Sequence, residues 1–285
     1  MPRIIAHRGA RSEAPENTLS AFRRARELPV HMVEGDVAVT KDGVAVFIHQ
    51  ETLEPAAGSR QLRLAARNEA RAWISASSWN QIKDLDAGSW FGPTFSSERI
   101  PTLEEVLSLG WSKQSLLLDL IDPRYWVAPD DESVVRQFQE CVIPTLRAAT
   151  AQGASLAVLA FNPCMLELFQ RELPLVPRTY ALWTNSRGME SYVQEQANKL
   201  KISTLTIADF MLRDEPQWLA LARDAGYELG VFELTPDSHE QFRSWTPQLR
   251  QPMWDLVIEK HVDWFTTDFP AEFVAYQNSI AIQKR

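Results

Sequence analysis

A chain of 285 residues with 45 % hydrophobic and 23 % charged content and a formal net charge of -8 is not a disordered polymer. The acidic balance argues against a nucleic-acid backbone as partner, because phosphate binding on that scale needs a basic field. Two cysteines, Cys141 and Cys164, are too few for a disulfide scaffold or a zinc site and are read as buried thiols.

In chain order, Arg3 to Ala6 reads as a strand that opens the fold, and His7-Arg8-Gly9 follows it directly. Met1-Pro2-Arg3 leaves no room for a leader and no apolar run approaches the about 20 residues of a membrane span, so a cytoplasmic location is expected. Asn17 to Leu28 has helical period, and Met32 to Val39 is a second strand. Lys41-Asp42-Gly43 is tight-turn chemistry returning the chain through the short strand that ends at His49. With Thr40 opposite Gly43, Asp36 would pair with Phe47 and Glu34 with His49; a bulge would break that register. The rhythm fails between Glu54 and Asp86, which is read as an insertion of about 54-86 on the loop-bearing face.

Strands follow at Leu116 to Ile121, Leu156 to Phe161, Arg178 to Trp183, Thr204 to Ala208, Glu228 to Leu234 and Trp264 to Thr267. Between them lie helices at Leu103 to Leu109, Glu132 to Ala149, Pro163 to Glu172, Ser186 to Leu200, Glu215 to Ala225 and His239 to Trp245. The link to the His49 strand is too short for a parallel crossover, so that strand is an antiparallel arm. Eight parallel strands remain, which predicts a single-domain α/β fold, a (β/α)8 TIM barrel; an open doubly wound sheet is the alternative.

Chemistry concentrates where a barrel keeps it, beyond the carboxyl ends of strands. Glu34 and Asp36 project the same way from one strand, and two anionic side chains there have little use without a cation between them. His7 offers proton transfer near neutral pH, and Arg8 offers a planar fork for phosphate oxygens. Glu16 is expected to serve the loop or cap the helix from Asn17, with a site role as the alternative.

Five early segments, His7-Arg8-Gly9-Ala10, Pro15-Glu16-Asn17-Thr18, Glu34-Gly35-Asp36-Val37, Thr40-Lys41-Asp42-Gly43 and His49, closely resemble the glycerophosphodiester phosphodiesterases. The resemblance continues through Leu85 to Phe91 and Ile100 to Val106, and returns weakly at Phe161-Asn162-Pro163 and Thr266-Thr267-Asp268-Phe269-Pro270. It implies a barrel that binds one divalent cation, Mg2+ or Ca2+. Glu34 and Asp36 fall on metal-ligand positions, His7 and His49 on the acid and base pair, and Arg8 on a phosphate contact. The implied reaction is metal-dependent hydrolysis of a small-molecule glycerophosphodiester to glycerol phosphate and an alcohol. Trp90 falls in a family-like loop and is a candidate for the substrate cleft.

The chain also departs from the family. The third metal ligand, usually glutamate, is Asp119 here, shorter by one methylene or about 1.5 Å. A lysine is replaced by Ile121, with Arg124, Lys260 or Arg8 as candidate substitutes for its charge, and an aspartate after the second histidine is replaced by Gln50. Leu234 stands near the position of an expected aromatic. These departures motivate two rivals: a lysophospholipid-cleaving or phospholipase-D-like enzyme of the same superfamily, and a degenerate barrel that binds phosphodiesters without turnover. A homo-oligomer is compatible with the sequence.

Overall fold

A computed structural model describes residues 1–49, 74–121, 132–182, 189–234 and 244–283. Its strands are β1 (Arg3–Ala6), β2 (Met32–Val39), β3 (Ala45–Phe47), β4 (Ser115–Leu120), β5 (Leu156–Ala160), β6 (Arg178–Leu182), β7 (Thr204–Ala208), β8 (Glu228–Phe232) and β9 (Trp264–Thr267). All pair in parallel except β3, which lies antiparallel on β2. The pairing of Ile5 with Met32 joins β1 to β2 and closes the sheet, which excludes the open doubly wound alternative and gives an eight-stranded β/α barrel.

Strands buried on both faces explain the near-continuous apolar runs in the sequence. Outward residues such as Val33, Leu116, Leu118, Val158, Leu205, Val231 and Phe265 pack with Phe22, Phe169, Trp218, Trp254 and Phe273 of the surrounding helices. Inward residues Ile5, Leu117, Ala157, Leu159, Ala181 and Trp264 fill the lumen. At the amino-terminal end Trp264 donates to Glu228 at 2.6 Å while the Arg3 guanidinium stacks 3.7 Å from its ring centroid. That end is sealed, and the carboxyl end is left for chemistry.

The hairpin register differs from the sequence expectation by one residue. Val37 pairs with Phe47 and Val39 with Ala45, and Ile48 N–H donates to Asp36 O at 2.9 Å. The cause is Gly43, whose φ of 85° inserts a bulge residue: Gly43 N–H bonds Thr40 O, and Thr40 N–H bonds Val44 O. His49 lies beyond the strand, so its position is set by the chain after Ile48 and not by strand alternation.

Helices also differ in detail. The expected Glu132 to Ala149 helix is two, Glu132–Cys141 and Ile143–Ala151, broken at Val142 ahead of Pro144. Asp209–Asp214 forms a separate helix before Gln217–Ala225. Pro247–Glu259 and Pro270–Gln283 are helices the periodicity missed, the first because Pro247 and Pro252 interrupt its pattern. The expected His239 to Trp245 helix falls largely outside the described residues. So does much of the proposed 54-86 insertion, whose described remainder packs Ile74 and Ile82 on Ala38, Val46 and Ile48 of the β2–β3 ribbon. The cysteines are not buried as expected: Cys141 is half-buried and Cys164 exposed, each placed near a helix end where solvent reaches it. Among the described residues no helix is long and apolar enough to cross a membrane.

Candidate active site

Immediately after β1 the backbone enters the left-handed region at Arg8 (φ 52°) and Gly9 (φ 80°). A Cβ on Gly9 would lie 2.7 Å from Ala21, so glycine is required for the close approach of the Leu19–Glu27 helix. This turn aims Arg8 N–H at Glu34 Oε2, 2.8 Å away. The buried Arg8 side chain lies 3.2 Å from both Glu16 Oε1 and Asp36 Oδ2. Burial opposes its charge, but Glu16, Asp36, Asp268 and Glu34 outweigh that and hold the guanidinium more firmly protonated than usual.

Asp36 is fixed from the same loop. Asn17, at φ 56°, donates to Asp36 Oδ2 at 2.7 Å and accepts from Asp36 N–H at 3.1 Å. Burial would raise the Asp36 carboxyl, yet Arg8, His49, His7 and the Asn17 bond hold it below its usual value. The helix is capped by Thr18 and not by Glu16. Glu16 instead lies buried between Arg8 and Arg11 of the same loop, 2.6 Å from Arg11 Nε, and so ties that loop to the arginine beside the acids.

Glu34 and Asp36 share the inner face of β2, and Asp36 pairs directly with Asp119 across the parallel β2–β4 ladder. Ligand atoms of Glu34, Asp36 and Asp119 lie within 4.8 Å of one another. Asp119 therefore reaches the cluster despite its shorter side chain. Glu34 Oε1 and Asp119 Oδ1 are buried with no hydrogen-bond partner among the described residues. Burial, aided by Asp36 and for Glu34 by Asp119, pushes both carboxyls well above their usual values. Three acids with two unsatisfied oxygens constitute an oxygen donor set that fits a hard divalent cation.

Beside them stands half-buried His7, its Nε2 3.9 Å from Glu34 Oε2. Its Nδ1 lies 2.6 Å from Asp268 Oδ1, and the second oxygen of that fully buried carboxylate accepts from Arg11 at 2.9 Å. An ionised carboxylate only accepts, which assigns the proton to Nδ1 and presents Nε2 to the acids. His49 is held neutral: burial and Arg8 push it down to about 4 against the opposing pull of Asp36 and Glu16.

The geometry thus gathers His7, Arg8, Glu34, Asp36, Asp119 and His49 about one end of the barrel. Trp90 is tied within its own loop, donating to Ala87 O at 2.8 Å and packing edge-on against Phe91. Lys260 pairs with Glu259 ahead of β9, at the sealed end, and is no substitute for the missing lysine. Arg124 and Gln50 lie outside the described residues. Sequence reasoning missed the roles of Arg11, Asn17 and Asp268; Asp268 was inside a motif already noted after the last strand, but nothing local pairs it with a histidine 261 positions away.

The sequence matches the Glycerophosphoryl diester phosphodiesterase family over residues 7–272. It is 41 % identical over 117 residues to the putative glycerophosphodiester phosphodiesterase YhdW of Bacillus subtilis, covering 41 % of this chain and 44 % of the relative. It is 31 % identical over 290 residues to glycerophosphodiester phosphodiesterase domain-containing protein 5 of Gallus gallus, covering 94 % of this chain and 46 % of the relative. The chain thus spans less than half the length of these curated relatives. An Oleispira antarctica phosphodiesterase solved with sn-glycerol-3-phosphate shares the fold at TM-score 0.75 and 23 % identity, over 98 % of this chain and 97 % of that one. A putative glycerophosphoryl diester phosphodiesterase of Silicibacter pomeroyi does so at 0.74 and 22 %, over 96 % and 92 %. With the match running through nearly all of its barrel, the chain belongs to the Glycerophosphoryl diester phosphodiesterase family.

Proposed function

We propose that this protein hydrolyses small-molecule glycerophosphodiesters to glycerol phosphate and an alcohol, with Glu34, Asp36 and Asp119 holding one divalent cation, Mg2+ or Ca2+. The observation that carries the reading is the carboxylate trio with two buried, unpartnered oxygens beside an oriented imidazole. A cation bound there would offset charge gathering on the phosphoryl oxygens.

The chain's own groups divide the remaining work. Arg8 keeps a positive charge among the acids and contacts a nonbridging phosphate oxygen. Water attacks phosphorus as the ester P–O bond breaks; one imidazole takes the proton from water and the other protonates the departing alkoxide. The neutral state of His49 supports the accepting role, which leaves His7, as an imidazolium protonated at both nitrogens and steadied through Nδ1 by Asp268, to give its Nε2 proton to the leaving oxygen. Trp90 lines the substrate cleft. A cytoplasmic location belongs with this proposal.

The test is turnover of glycerophosphocholine by the purified chain with Mg2+, Ca2+ or Mn2+, beside His7→Ala. Cation-dependent release of glycerol phosphate, reduced at least about a hundredfold in the variant, supports the reading. Phosphodiester binding without turnover under any cation overturns it in favour of a non-catalytic barrel.

A further inference from the structure

Asp268 stands in the turn Thr267-Asp268-Phe269-Pro270 between β9 and the helix Pro270–Gln283, and the orientation of His7 depends on where that turn sets one carboxylate oxygen. The turn is gripped from the layer between barrel and outer helices. The Thr267 hydroxyl donates to Glu233 Oε2 and accepts from Phe269 N–H at 3.1 Å. Glu233 Oε1 accepts from the Trp254 indole at 3.2 Å. The Arg250 guanidinium stacks 3.6 Å from the centroid of the Phe269 ring. Trp254 and Arg250 both belong to the helix Pro247–Glu259, so one outer helix holds the turn at two points.

Glu233 is out of place in this layer. It follows Leu229 and Val231 on the outward face just beyond β8, and those neighbours are buried in the apolar core. A carboxyl group buried there costs free energy unless its oxygens are occupied, and each of the two is. Its backbone is also fixed, with Glu233 N–H on Thr266 O at 2.9 Å. A hydrophobic residue would fill this space at lower cost; what the carboxyl group adds is directional control of the Thr267 hydroxyl, and so of the backbone that carries Asp268.

We propose that Glu233 is a positioning residue for the His7–Asp268 pair, acting through the Thr267 hydroxyl. The inference rests on the hydrolytic reading for its kinetic consequence, while its structural content stands apart. The experiment compares Glu233→Ala, Glu233→Gln and Thr267→Val in the full chain. With glycerophosphocholine and saturating Mg2+, Glu233→Ala and Thr267→Val are expected to lower kcat by about tenfold or more with KM nearly unchanged, and Glu233→Gln to recover most of the loss. Independently of turnover, the His7 Nδ1 proton is followed by NMR as a low-field resonance, assigned by its disappearance in His7→Ala. It is expected to move upfield or be lost by exchange in Glu233→Ala and Thr267→Val, and to persist in Glu233→Gln. An unchanged resonance and unchanged kcat in either disrupting variant, with only a lower melting temperature, overturn the proposal. If the wild-type chain turns over no diester, the hydrolytic reading fails and the resonance alone decides the positioning role.

Discussion

At the scale of single residues, the site places acids where they repel. Glu34 and Asp119 are raised by burial and by neighbouring carboxylates, so in the folded chain they hold protons that the unfolded chain would release. Stability therefore falls as pH rises from their ordinary values through the raised ones. The proposed divalent cation would replace those protons, so its affinity should increase with pH and its binding should release protons, measurable by calorimetry in buffers of different ionisation enthalpy. Asp119→Asn is expected to weaken Mg2+ or Ca2+ binding by about ten- to a hundredfold in the same instrument; unchanged affinity would remove Asp119 from the donor set.

Glu233 shifts in the same direction. Burial, with Asp268 and Asp209 nearby, pushes it up to about 8 despite the Thr267 and Trp254 bonds. An acid raised in the folded state contributes a cost that is absent below the unfolded value of 4.5, grows through the interval, and is complete above about 8. Each tenfold difference in proton affinity between folded and unfolded chain is worth about 1.4 kcal/mol. Denaturant unfolding at pH 5 and pH 9 should therefore show Glu233→Gln gaining about 4 kcal/mol relative to wild type across that range.

At the scale of elements, β2 presents Glu34 and Asp36 on one face while its other face is tightly packed. A Cβ on Gly35 would lie 2.6 Å from the Phe22 ring and 2.8 Å from Phe47, an edge-on aromatic pair 4.9 Å apart between helix and hairpin. Gly35→Ala is expected to cost about 2 kcal/mol or more in chemical denaturation and to weaken cation binding through the shifted flanking acids. Full stability in that variant would mean that the aromatic pair yields without loss.

Strand positions and the acid face of β2 were legible in the sequence, because buried parallel strands read as continuous apolar runs and alternation fixes which side chains share a face; closure rests on the pairing of β1 with β2. The hairpin register was not, since whether Gly43 adds a bulge is decided by the turn's φ and not by composition. The helix Pro247–Glu259 escaped because proline in its first turn is favourable and Pro252 is tolerated among tertiary contacts that periodicity cannot see. Asp268 and Arg11 were illegible as a pair for a simpler reason: they meet through the closure of the barrel, 257 positions apart.

At the scale of the whole molecule, binding of the proposed cation would be linked to folding. Free cation at a hundredfold excess over its dissociation constant should add about 2.7 kcal/mol and raise the melting temperature by about 5 °C, reversed by chelation. A melting temperature indifferent to cation would mean that the three acids hold none.

The first and last strands lie side by side, Arg3 against Trp264 through Ala6 against Thr267, and Gln277 of the final helix reaches back to Pro2 O at 2.9 Å. During synthesis the amino-terminal histidine waits for a carboxylate that the ribosome delivers about 260 residues later. A nascent or prematurely terminated polypeptide carries the acids, the arginine and both imidazoles but lacks their alignment. On the proposed function, the aligned pair arrives only with the last strand, so a polypeptide that stops before it is expected to turn over no diester.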